Sequence, residues 1–152
     1  MYRKYNITKK GAKWMIYRIG TTYIPVSNVK LSASWYTSTL GAKQNYIDER
    51  KAILELANQS IFLVQAQENQ TANFYDVDGK EHFSLTFEVN GLNELEEFHS
   101  NLVEQGVDVG GIEDRGHAGR NFVFCDLDGN RFDVWSELSP IFMQKYKMPI
   151  KE

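Results

Sequence analysis

Cysteine is nearly absent: Cys125 stands alone in 152 residues. One thiol excludes an internal disulfide and a cysteine-built zinc cage, and it reads as a small buried hydrophobe. There is no excess of basic charge, since the formal net charge is -3. That argues against nucleic acid, which needs a concentrated cationic surface. No run approaches the roughly 20 apolar residues of a transmembrane helix, so no membrane is expected. The basic N-terminal residues Arg3, Lys4, Lys9 and Lys10 lead into no apolar stretch, so no secretory leader is expected either, and a cytoplasmic setting is the reading. What the sequence does have is 42 % hydrophobic and 13 % aromatic residues. That is enough for one soluble domain or two small fused modules, and enough aromatic surface to line a small apolar cavity.

Residues 1–15 are polar and basic without a period and read as an N-terminal extension. Ile16 to Val26 is β-branched and aromatic and predicts a strand, with Pro25 marking an edge or terminus. Ser27 is a suitable helix cap. Val29, Leu31, Ala33, Trp35, Tyr36 and Leu40 fall on one side of a helix that Gly41 ends. Strands follow at Lys43 to Tyr46, Ala52 to Leu56 and Ser60 to Ala66, closing a module over 16–66. Residues 67–80 are polar and read as a linker. A second module spans 81–137. His82 to Val89 alternates polar and apolar residues, as a strand with one buried face does. Asn90 caps a helix carrying Leu92, Leu95, Phe98, Leu102 and Val103, and Gly106 ends it. Val107 to Ile112 is a strand broken by Gly110-Gly111, Glu113 to Arg120 a loop, and Asn121 to Asp126 and Arg131 to Trp135 are the last strands. Residues 138–152 form a tail.

The modules match at a fixed offset: Val26 meets Val89, Ser27 meets Asn90, Val29 meets Leu92 and Trp35 meets Phe98. A repeat of this kind outweighs any single motif. The expected fold is α+β, two tandem βαβββ modules making one curved mixed sheet around a cleft with the helices outside. Strand parity then sorts the side chains. Thr21, Tyr23, Ser84, Thr86, Glu88, Arg131, Asp133 and Trp135 face the cleft. Ile24, Val26, Leu85, Phe87, Phe132 and Val134 face the helices. Trp135 and Tyr23 could stack on a planar ligand, and Arg131 or Arg120 could fork onto a carboxylate or phosphate.

Tyr23-Ile24-Pro25-Val26-Ser27-Asn28-Val29, followed by Ser34-Trp35-Tyr36 and Leu40-Gly41, resembles the opening βα unit of the vicinal oxygen chelate superfamily, the relatives of glyoxalase, bleomycin-resistance protein and extradiol dioxygenase. Asp126-Leu127-Asp128-Gly129-Asn130-Arg131-Phe132-Asp133-Val134-Trp135 resembles its closing hairpin, with Leu127 where proline is usual. The resemblance implies a homodimer and a divalent metal on four inward positions, commonly His or Glu. Those positions fall on Thr21, Ser84, Gln65 and Asp133. One carboxylate among two hydroxyls and an amide is a poor ligand set, so no resident cofactor is expected. The alternative is zinc, nickel, manganese or iron on His82 and Asp133. His82 shares the face of Ser84 but lies about 6–7 Å along the strand. His117 could reach over the cleft mouth from its loop, and His99 flanks the second helix.

Three uses of the fold are consistent with these residues. The first is binding of a small, planar or anionic molecule without metal, with Thr21, Tyr23, Gln65, Ser84, Thr86, Arg120, Arg131 and Trp135 as ligand-binding residues. The second is a metal-dependent lyase, thiol transferase or dioxygenase, with Asp133 as the catalytic residue. The third is an interaction or regulatory protein that uses the basic extension and the aromatic tail (Phe142, Tyr146). A serine or thiol nucleophile is not expected, because neither Cys125 nor the hydroxyls of Thr21 and Ser84 have an identifiable base.

Overall fold

The computed structural model describes residues 15–149. The extension expected at 1–15 lies outside the described residues except for Met15, as do positions 150–152 of the tail.

The first strand, β1, covers Thr21–Val26. It starts later than the apolar pattern suggests, and Ile16, Tyr17 and Ile19 are exposed. Helix α1, Val29–Leu40, is capped by Asn28 rather than Ser27: the Asn28 side chain accepts a hydrogen bond from the Leu31 amide at 3.0 Å. Gly41, at φ 72, turns the chain out of it. Strands β2 (Lys43–Ile47), β3 (Lys51–Leu56) and β4 (Gln59–Gln65) complete a four-stranded sheet in the order β1-β4-β3-β2, with β1 parallel to β4.

The linker holds a short strand, β5 (Phe74–Tyr75), which pairs with β6 (Glu81–His82). The continuous strand expected from His82 to Val89 is therefore broken. His82 stacks on Phe74 at 4.9 Å, Ser84 lies in an exposed bend, and the chain rejoins the second sheet only at β7, Thr86–Glu88. Helix α2 (Leu92–Glu104) follows, then β8 (Asn121–Cys125) and β9 (Arg131–Trp135), with sheet order β7-β9-β8. The strand expected at 107–112 is reduced to one isolated bridge, Val109 to Phe124, and a second bridge, Glu113 to Asn121, falls at the start of the expected loop. Gly110 and Gly111 between them offer no side chain to pack.

The described residues thus form mixed α and β structure with two principal sheets, one per module, and no hydrogen-bond ladder joins those two sheets. What joins the modules is a shared core. Ile24, Val26, Tyr36, Leu54, Ile61 and Leu63 belong to the same buried cluster as Leu95, Leu102, Phe122, Phe124 and Val134. A polar joint sits beside it. The Tyr36 hydroxyl donates to Asp126 Oδ2 at 2.6 Å, the Ser27 amide to Asp128 Oδ1 at 3.0 Å, and Asn130 Nδ2 to the Pro25 carbonyl at 2.9 Å. Burial pushes the Asp126 carboxyl above its usual range, although its hydrogen bonds from Tyr36 and Asn130 pull the other way. The tail forms α3, Pro140–Tyr146, held by Ser139, whose amide and hydroxyl both donate to the Glu88 carboxylate. Among the described residues no helix is long and apolar enough to cross a membrane.

Candidate functional site

The second sheet turns one face to the core and leaves the other for polar groups. Phe122, Phe124, Phe132 and Val134 are buried against the helices. Register aligns the alternate residues: Thr86, Asp133 and Val123 in one row, Glu88, Trp135 and Asn121 in the next, and Arg131 beside Cys125.

Asp133 is the centre of this polar face and is only 3 % exposed. Its Oδ2 accepts the Thr86 hydroxyl at 2.9 Å and the Asn121 amide at 3.0 Å. Its Oδ1 lies 3.1 Å from Nη1 of Arg115, an ion pair without hydrogen-bond alignment. Arg115 Nε donates to Glu113 at 2.8 Å, and the guanidinium lies over the Phe83 ring at 5.6 Å. One guanidinium therefore spans two carboxylates. A buried carboxylate without such compensation would be costly.

The chain from Glu113 to Arg120 is a strap over this face. Glu113 and Asn121 exchange backbone hydrogen bonds at its base. Farther along, Trp135 Nε1 donates to the Ala118 carbonyl at 2.9 Å, and the His117 ring meets Trp135 edge-on at 5.9 Å. Gly119, at φ 77, admits the close approach: a Cβ there would lie 2.6 Å from Ser136 Oγ and 2.8 Å from Trp135 Nε1. On this face three polar atoms are buried without a hydrogen-bond partner: Asp133 Oδ1, which faces Arg115, and Asn121 Oδ1 and Arg131 Nε. Orphans of this kind call for an account, whether a water or a ligand. Cys125 shares the face, but burial first, and Asp108 second, push its thiol up to about 11. It is not a thiolate nucleophile at neutral pH.

Of the residues expected to meet, Thr86, Arg131, Asp133 and Trp135 share this sheet face. Arg120 lies at the strap's end, pairing with Asp114 at 3.4 Å. Thr21 and Tyr23 lie on the open face of the other sheet, where Tyr23 is 64 % exposed and tilts on Phe62 at 5.2 Å. Two placements are corrected. Gln65 pairs with Val26 and shares the parity of Ile61 and Leu63, so it lies on the helix side of its sheet and away from the cleft face. Ser84 is in the bend before β7 and has no strand parity. His82 belongs to the β5–β6 hairpin, with Nδ1 at 2.6 Å from the Phe83 carbonyl. His99 contacts the Gly110 carbonyl at 2.8 Å.

Sequence reasoning missed Arg115, Glu113 and Asn121. Asn121 was within reach: the turn at Asp128-Gly129 pairs Cys125 with Arg131, and counting back puts Asn121 opposite Trp135. Arg115 lies in an aperiodic loop and carried no signal.

The implied metal does not fit these residues. Of its four positions, Gln65 is on the wrong face, Ser84 is outside the sheet, and Thr21 offers only a hydroxyl, a poor ligand. Asp133 is already engaged by a guanidinium and two further donors. Among the described residues no group of three or more His, Cys, Asp or Glu side chains is placed to hold a metal ion.

Comparisons with known proteins agree with this architecture. Among solved structures, the fosfomycin resistance protein FosX from Listeria monocytogenes superposes with a TM-score of 0.65 at 18 % identity, over 82 % of this chain and 96 % of that one. Lactoylglutathione lyase from Agrobacterium tumefaciens gives 0.63 at 14 % identity, over 80 % and 95 %. A glyoxylase/bleomycin resistance protein/dioxygenase domain from Frankia sp. EAN1pec gives 0.63 at 18 %, over 79 % and 97 %. At these identities the likeness is one of fold. No curated protein matches the sequence. The sequence profile of one family matches residues 18–134, which take in both modules, and the chain belongs to that family, the Glyoxalase/Bleomycin resistance protein/Dioxygenase superfamily.

Proposed function

We propose that this chain binds a small polar molecule, planar or anionic, on the strap-covered face of the second sheet, and that it does so without a resident metal. The observation that carries the reading is the pair of orphaned groups there: Asn121 Oδ1 and Arg131 Nε are buried on the face that Asp133 anchors. A buried polar group without a partner costs about 1–3 kcal/mol, and a ligand offering a donor to Asn121 and an acceptor to Arg131 recovers that cost. Trp135 supplies an aromatic wall at the strap end. Proton transfer by Asp133 is disfavoured, because both oxygens are engaged by donors or by the guanidinium.

The reading extends to a homodimer, in the cytoplasmic setting that the sequence suggests. The support for the dimer is the row Tyr23, Phe62, Ile53 and Tyr46, which register aligns across all four strands of the first sheet on the face away from the core. Tyr23 and Tyr46 in that row are exposed. A second copy could cover it.

The test is a thermal-shift screen of planar carboxylates, phosphates and amides, followed by titration of the hits. Binding should weaken at least tenfold in Asn121→Ala and Arg131→Ala and stay unchanged in Gln65→Ala. Hits indifferent to the first two variants would place the site elsewhere.

A further inference from the structure

We propose that Arg115 is the resident cation of this site, its guanidinium filling the electrostatic role that the family resemblance gives to a divalent ion. This rests on the reading of the strap-covered face as a metal-independent ligand site, and it names the group that makes it so. Asp133, a carboxylate 3 % exposed, must be compensated. Thr86 and Asn121 donate to one oxygen, and Arg115 stands against the other at 3.1 Å. The same guanidinium is fixed from its far edge by Glu113 at 2.8 Å and from its face by Phe83. The residue lies in an exposed loop, but its side chain is only 28 % exposed and is held by these three contacts.

A metal on Asp133 Oδ1 would sit at about 2.0–2.2 Å, in like-charge contact with a cation already 3.1 Å from that oxygen. The two exclude each other. Arginine also keeps its charge at every physiological pH, so the site is charged without drawing on a metal supply. It follows that removing Arg115 leaves Asp133 and Glu113 as a vacated cation seat, with the Thr86 hydroxyl beside it. The variant should accept the ion that the natural chain refuses.

The experiment uses thermal unfolding of the full chain with manganese(II) chloride as the probe. The natural chain should show no shift up to millimolar manganese. Arg115→Ala should melt lower and recover by about 5 °C or more as manganese saturates it. The recovery should vanish in Arg115→Ala/Asp133→Asn, and millimolar guanidinium chloride should substitute for manganese in Arg115→Ala. If Arg115→Ala does not fold alone, refolding from urea should succeed with manganese and fail without it. Failure of both refolding conditions, a manganese-indifferent Arg115→Ala, or saturable manganese binding by the natural chain overturns the proposal. Ligand hits that depend on Asn121 and Arg131 would still stand in that case, so this failure is distinguishable from failure of the binding reading.

Discussion

Replacing Tyr36 with phenylalanine removes one atom from the joint between the modules. Tyr36 is fully buried, and its hydroxyl donates to Asp126 Oδ2 at 2.6 Å. Phenylalanine fills the same volume, so its edge contact with Phe132 at 6.3 Å should survive and no cavity forms. The loss is then a hydrogen bond to a charged acceptor, generally worth about 1.5–3 kcal/mol. Asp126 keeps three other donors: Asn130 Nδ2 at 2.8 Å on the same oxygen, and the amides of Asp128 and Asn130 on the other. That places the cost at the low end, about 1.5–2 kcal/mol. For a chain of this size the melting temperature should fall by about 3–8 °C. Urea unfolding of Tyr36→Phe, Asp126→Asn and the double variant gives the coupling directly. A cost below about 0.5 kcal/mol, or additive single variants, would refute the claim that this hydrogen bond helps hold the modules together.

Two further outcomes follow from the strap and the sheet beneath it. Gly119→Ala combines φ 77 with a Cβ 2.6 Å from Ser136 Oγ, so it should cost at least about 2 kcal/mol. Gly116→Ala, at φ 83 but with nothing within 4 Å, should cost about 1 kcal/mol. Urea unfolding separates the two, and equal losses would remove the crowding argument. Because the Cys125 thiol is pushed up to about 11, its alkylation by iodoacetamide should rise about tenfold per pH unit from pH 7 to 10. A plateau near pH 8.5 would contradict the burial that raises it.

Much of the fold was legible because it rests on periodicity. The alternation around Ile24 and Val26 and around Phe132 and Val134 put the correct residues in the core, and Gly41 ended its helix where a left-handed residue was needed. The departures have local causes. His82 left the second sheet because Phe74, in a stretch read as linker, offered it a partner strand and a ring to stack on. Gln65 lies on the helix side because it shares the parity of Leu63, and a shift of one residue along a strand moves a side chain to the opposite face. The candidate face was legible in part: that Thr86, Arg131, Asp133 and Trp135 share one side of the second sheet follows from alternation alone. Arg115 did not, since a loop has no period and the ion pair to Asp133 joins residues that only the folded strap brings together.

The most direct test of the central claim is the metal content of the natural chain after incubation with zinc, nickel, manganese and ferrous iron and removal of unbound ions. With Arg115 seated against Asp133, the content should be far below one ion per chain for each metal, and unchanged in Asp133→Ala. A stoichiometric metal that disappears in Asp133→Ala would mean that Asp133 is a ligand and Arg115 is displaced, contradicting the account.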